Sequence, residues 1–304
     1  MRIVDNKCLS TMDSPIKYIM GHIQDAIINI APERTEQFKI EFPNLTIKYV
    51  DDGEWICNAN SSNTTITISK RVAETAWCLS YCYMTLFQKY CAGNMYTERT
   101  VLDFTKDKEA MEAAHLYKWA LDNWLAPDNE KQWNLELPHP QIPAPTFYHY
   151  LANQLSLCAL AFIMHHELAH IKLGHQYTSD HYLNIESEKE ADLYAAEWFL
   201  NNDGIDKSTF NVRAYGIAIA LEMIVARGLY KKDINTIVDH PRPFDRLLYT
   251  LQNYISDENH PVWQILVHSF SLHLYNAKVQ IPEKEYYSFF ECLDDYIDVL
   301  SQIE

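Results

Sequence analysis

The sequence predicts a mostly helical α+β fold in which a small antiparallel sheet lies beside one long apolar helix. Three observations carry that prediction. Glycine is scarce, 7 residues against 20 tyrosines and 12 phenylalanines, which suits helices packed on aromatic side chains better than a turn-rich β fold. β-branched and aromatic residues concentrate between residues 45 and 68. From residue 147 onward the apolar residues recur at helical spacing with few interruptions.

The elements follow in order. Residues 1–40 carry a weak helical signal, with Ile16, Ile19, Ile23, Ile27 and Ile30 near one face. Leu45 to Val50, Glu54 to Cys57 and Thr64 to Ile68 read as strands, separated by Asp51-Asp52-Gly53 and by Asn58 to Asn63. Helices are expected over 71–90 and 106–125. Leu137 to Pro145 then holds four prolines in nine residues. Proline fixes φ and lacks a backbone N–H, so this stretch is an extended connector. Beyond it, helices are expected over about 147–173, 186–202, 208–228, 242–256, 261–278 and 283–301. The chain therefore divides into residues 1–137, a connector at 138–146 and a helical region at 147–304. One α+β unit is the preferred reading, and two domains are the alternative.

Charge and apolar patterning narrow the function classes. A formal net charge of -16 opposes phosphate surfaces, so neither nucleic acid nor an anionic membrane is expected as the main partner. The longest apolar runs, Leu155 to Met164 and Gly216 to Leu221, are too short to cross a bilayer. Met1 to Lys7 lacks the apolar stretch of an export signal. Seven cysteines form no disulfide framework, and Cys78 and Cys82, one turn apart on an apolar helix, are expected as buried thiols. The expected compartment is the reducing cytosol.

Chemistry concentrates in the 147–173 helix, which carries His166-Glu167-Leu168-Ala169-His170. Residues four apart share a helical face, so His166 and His170 can point at one zinc ion. Glu167 projects to the side, where it can take a proton from an attacking water. A surface helix with two unrelated histidines is the plain alternative. A catalytic zinc site needs a third protein ligand, and eighteen residues after His170 the chain reads Glu188-Lys189-Glu190-Ala191-Asp192. Glu188, Asp192, Ala195 and Phe199 share a face that turns apolar and should point inward, whereas Glu190, Tyr194, Glu197 and Asn201 form a polar face. Glu188 is thus the ligand candidate over Glu190, and Asp192 can hold a ligand histidine's other ring nitrogen. His165 lies off the metal face, a neighbour of the site with substrate contact as the alternative. His175 is expected as an exposed residue past the helix end.

These residues resemble the gluzincin type of metallopeptidase, in which His-Glu-x-x-His is followed by Glu-x-x-x-Asp, and so imply a zincin-like fold. The metzincin pattern does not fit, because its third histidine would fall at Gln176. His240-Pro241-Arg242-Pro243-Phe244-Asp245-Arg246 resembles the His-Pro…Arg element of membrane and minimal gluzincins. That resemblance implies a catalytic position for His240 and a bracing role for Arg246. His165 to His170 with Gly174-His175, then Glu188 to Asp192 with Trp198, is similar to the Lit-type phage-exclusion zinc metallopeptidases. The resemblance covers roughly residues 162–200, with a weaker echo at 240–246. It implies a cytoplasmic zinc endopeptidase that cleaves elongation factor Tu in phage defence, with a phage-derived activator as a partner.

Two other readings stay open: a regulatory peptidase that cleaves a repressor, and a zinc-stabilised interaction module without catalysis. Retention of Glu167 opposes the second, since a structural site needs no general base. His240, Tyr177, Tyr182, His181 and Tyr215 are all candidates for stabilising an oxyanion, with His240 preferred.

Overall fold

The computed structural model describes residues 2–3, 11–51, 53–90, 107–125, 132–201, 204–237, 239–282 and 284–302. The chain runs through β1 (Arg2–Ile3), the short helices α1 (Lys17–Met20), α2 (Ile23–Asn29) and α3 (Thr35–Glu41), and strands β2 (Thr46–Val50), β3 (Cys57–Asn60) and β4 (Thr65–Ser69). Longer helices follow: α4 (Lys70–Tyr90), α5 (Lys108–Leu125), α6 (Phe147–Leu173), α7 (His181–Leu200), α8 (Lys207–Lys231), α9 (Pro243–Gln252), α10 (Pro261–Asn276) and α11 (Phe289–Leu300). Of the segment Met1 to Lys7, all but Arg2 and Ile3 lies outside the described residues, as does the expected helical start at residue 106.

The sheet corrects the antiparallel expectation, because it is mixed. Its order is β1-β2-β4-β3, with β1–β2 and β2–β4 parallel and β3–β4 antiparallel. The middle strand also sits later than expected, at 57–60 instead of 54–57. Pairing of Cys57 with Ile68 and of Asn60 with Thr65 leaves Ser61 to Thr64 as the reversal, with Thr64 at φ 52. β4 therefore inserts between β2 and β3, burying Ile66 and Ile68 beside Ile47 and Tyr49 at the two-residue period of a half-buried sheet.

Helix α6 is apolar on all sides, and such a helix is stable only when surrounded. Leu155, Leu160, Phe162, Met164 and Leu168 are all buried, with Ala152, Ala159, Ala161 and Ala169 where neighbours come close. It packs against α2, α4, α7 and α8, and β3 runs alongside it. At one crossing Gly216 of α8 lies so near Cys158 that an added Cβ would stand 2.3 Å from its Sγ. Thr146 caps the helix start, its Oγ1 accepting from the His149 N–H at 3.3 Å. Gly174 ends the helix at φ 72, a left-handed conformation that favours glycine, and the His175 N–H then donates to the His170 carbonyl at 3.0 Å.

The neighbouring helix α7 begins at His181, earlier than expected, because Asp180 caps it by accepting from the Tyr182 N–H at 3.0 Å. The last helix begins later than expected, at Phe289, where Ser288 accepts from the Glu291 N–H at 3.0 Å. One hydrophobic core runs through elements on both sides of the proline-rich segment, from Met12 to Leu300. That segment has no helix or strand and lies against α6 and α4: Asn153 Nδ2 donates to the Gln141 carbonyl at 3.1 Å, and Trp77 Nε1 donates to Asn153 Oδ1 at 2.8 Å. Cys78 and Cys82 are free, buried thiols. Among the described residues no helix is long and apolar enough to cross a membrane.

Candidate metal centre

The last turns of α6 and the first half of α7 bring His166, His170 and Glu188 together, with one donor atom from each inside a 4.8 Å cluster. His166 Nε2 and His170 Nε2 are 3.1 Å apart; Glu188 Oε2 is 3.5 Å from the first and Oε1 is 3.4 Å from the second. Metal–ligand bonds of about 2.0–2.2 Å at tetrahedral angles separate donors by about 3.3 Å. The three side chains thus converge at about the donor spacing that a bound ion would need, and this donor set fits a metal. Among the described residues no other group of three such side chains converges this way.

Behind the triad lies a buried charge network. Asp192, 1% exposed, stands 2.9 Å from His166 Nδ1. Arg246, from α9, grips Asp192 with a two-pronged fork, Nε and Nη2 each at 2.8 Å, and its Nη1 reaches Glu188 Oε2 at 3.2 Å. Burial opposes ionisation of both carboxyls. His166 and His170 outweigh it at Glu188 and hold that carboxyl well below its ordinary value. Arg246 and His166 do the same for Asp192. A buried carboxylate otherwise costs several kcal/mol, about 3–5 when its partner is removed, so Arg246 offsets much of the penalty of placing two anions here.

Glu167 faces the same cavity from α6, and the backbone of Ala59 in β3 lies close enough to favour its ionised form. Burial pushes its carboxyl up to about 7; His166 pulls down, Glu188 pushes up, and Arg246 pulls down. The cavity holds about 420 Å³ and is apolar along Val72, Phe162, Leu221 and Ile224, with Trp55, Arg227, Asp233 and Asp239 on its other walls. His240 lines it with Nε2 3.7 Å from Glu188 Oε1, its side chain 64% exposed. Of the five oxyanion candidates, His240 lines the cavity; Tyr177, Tyr182, His181 and Tyr215 do not. Tyr177 and His181 instead bind Asp239, at 2.7 and 2.6 Å, and Asn184 donates to the same carboxylate at 2.9 Å. That carboxylate pins the loop carrying His240 to the start of α7.

One alternative falls and one expectation is corrected. His165 cannot touch substrate: it is fully buried, with Nε2 2.9 Å from the Ile27 carbonyl and its ring edge-on to Phe38. His175 is not an exposed residue. The turn at Gly174 folds it back so that its Nδ1 lies 3.0 Å from His170 Nδ1, while its Nε2 lies 3.0 Å from Glu190 Oε2. Glu190 keeps its place on the polar face, outside the triad. The one sequence signal for the His175 contact was the glycine just past the helix end, which reverses the chain over the last turn. Nothing local points to Ala59, Trp55 or Arg227, which arrive from separate elements.

The E. coli (strain K12) protein described as "Cell death peptidase" is 27% identical over 252 residues, covering 80% of this chain and 83% of that protein. No solved structure matches. A model of the Peptidase U49 family matches residues 66–266, a span that holds Glu167, the whole triad, Asp192, His240 and Arg246, and the chain belongs to that family.

Proposed function

We propose that this chain is a zinc-dependent endopeptidase that hydrolyses a cytosolic protein. The observation that carries the reading is the convergence of His166, His170 and Glu188 at the edge of the cavity that Glu167 faces. Two imidazoles and a carboxylate suit zinc and leave a coordination position open, as catalytic sites require. Zinc held there supplies Lewis acidity, which acidifies water and polarises a peptide carbonyl. Glu167 takes the proton from the attacking water and returns it to the departing amine nitrogen, so the peptide bond is exchanged for a carboxylate and an amine with no external reagent. The nearby backbone of Ala59 favours the ionised form of Glu167, the form that accepts the proton. His240 lies on the open side of Glu188, where its ring can donate to the oxygen of the tetrahedral intermediate. Asp192 fixes the His166 ring, and Arg246 holds Asp192 and Glu188 in place.

The family and the name of the E. coli relative support peptidase action in a cell-death setting. We extend this to elongation factor Tu as substrate, phage defence as the setting, a phage-derived activator and a cytoplasmic location, with nucleic acid and membrane outside its partners. The test is mass spectrometry of lysates with and without phage infection, in cells carrying wild type or Glu167→Gln. Two fragments of the factor that need both Glu167 and infection are the expected result. An intact factor beside another Glu167-dependent fragment discards this substrate, and a repressor among those fragments selects the regulatory reading. The absence of any Glu167-dependent terminus overturns the peptidase and leaves a zinc-stabilised interaction module.

A further inference from the structure

The two histidines of the candidate centre are backed by unlike groups. His166 leans on Asp192 and Arg246 in the interior, whereas the far nitrogen of His170 meets another histidine, and that one meets a carboxylate at the protein surface. We propose that His175 and Glu190 are positioning residues that fix the tautomer and orientation of His170, a role that rests on the zinc reading above.

Proton placement carries the argument. For His170 to offer the Nε2 lone pair to the triad, its proton must sit on Nδ1. That nitrogen lies 3.0 Å from His175 Nδ1, which must then be the acceptor. His175 therefore carries its own proton on Nε2, 3.0 Å from Glu190 Oε2, which accepts it. From His170 Nδ1 outward, every donor then meets an acceptor. The opposite placement leaves a His175 lone pair facing a carboxylate lone pair and aims a His170 N–H into the triad. The backbone is shaped for this arrangement. Gly174 turns left-handed, the His175 N–H donates back to the His170 carbonyl, and the His175 side chain stays only 11% exposed although it lies past the helix end. α7 thus flanks His170 on both sides, with Glu188 beside Nε2 and Glu190 acting through His175 at Nδ1. Because Glu190 is 66% exposed, this outer support is weaker than the sealed Asp192 contact behind His166.

Three measurements on the full-length protein test the proposal. Chelator competition should show zinc affinity falling about tenfold in His175→Leu, the low end of the range for groups that orient a ligand histidine. Glu190→Gln, a substitution at an exposed position that leaves the fold intact, should give a smaller loss. His175→Gln should recover most of the affinity, since one amide can both accept from His170 and donate to Glu190, whereas leucine fills the space and does neither. Long-range proton–nitrogen NMR of the wild type should show His175 protonated on Nε2. Equal zinc affinity in wild type and His175→Leu overturns the proposal, and so does a His175 proton on Nδ1. If the wild type binds no zinc, the metal reading fails, and the NMR result still decides the His175–Glu190 chain on its own.

Discussion

At the end of α6, and again between α8 and α10, a buried carboxylate meets a buried imidazole. In the second place Glu222 is fully buried, its Oε1 2.6 Å from His273 Nε2, while His273 Nδ1 lies 2.7 Å from the Tyr117 hydroxyl and Tyr83 donates to Glu222 at 3.2 Å. Burial, reinforced by Glu222, pushes both tyrosine hydroxyls far above their usual range. Both nitrogens of His273 are committed, so no lone pair is left for a ligand. At the first place the rear nitrogens of His166 and His170 face Asp192 at 2.9 Å and His175 at 3.0 Å, and the front nitrogens converge with Glu188 at the edge of a cavity. A histidine–carboxylate pair is therefore not a centre by itself. A centre needs donors left over after the scaffold has satisfied the rest, and space in front of them.

The contrast can be broken at several points, beginning with the largest effect. Glu167→Gln should lower proteolysis by about 10²–10⁴-fold, the usual share of a general base, while zinc per chain stays near wild type by elemental analysis. His166→Ala should lose the metal outright. The converse applies to the sealed cluster. His273→Ala should cost about 3–5 kcal/mol in denaturant unfolding, because Glu222 loses its closest partner, yet leave zinc stoichiometry unchanged. Loss of zinc in that variant would show that the two clusters are coupled.

A third buried carboxylate, Glu74, has a serine hydroxyl from Ser14 at 2.7 Å in place of an imidazole. Burial raises it to about 7, against an ordinary 4.5. A raised carboxyl favours the neutral form in the folded state, so its stabilising contribution is complete below about pH 4.5 and is lost as the pH climbs to about 7. That loss amounts to about 3 kcal/mol, and Glu74→Gln should remove this part of the pH dependence of unfolding. A smaller effect than these, though larger than at His175 or Glu190, is expected at Asp192→Asn, which keeps the shape of the side chain but removes its charge. Chelator competition should show zinc affinity down about tenfold to a hundredfold.

How much of this was legible in the sequence depended on the range of the interactions. The juxtaposition of His166 with His170 and the inward face of Glu188 and Asp192 follow from 3.6-residue periodicity within single helices, so the motif and its spacing were enough to anticipate that geometry. Arg246 was reachable only through a family resemblance, because nothing near residue 246 shows that its guanidinium meets α7. The strands show the same limit. Asp51-Asp52-Gly53 signals a reversal after β2, but no local feature says that β4 will slot between β2 and β3 in parallel with β2. His175 was misjudged because the position just past a helix usually meets solvent; only the left-handed turn at Gly174 brings its ring back to His170.

The reach of the centre along the chain also bears on how it is assembled. Its parts come from residue 59 on the sheet edge, residues 166–192 on α6 and α7, and residue 246 on α9. Vectorial synthesis delivers the sheet-edge backbone beside Glu167 first and the guanidinium that pairs with Asp192 and Glu188 last. Until Arg246 has emerged, closing α7 on α6 would bury Asp192 without its strongest cationic partner, which the charge balance resists. The cleft is therefore among the last regions of a nascent chain to lock, and it is timed by one late-arriving side chain.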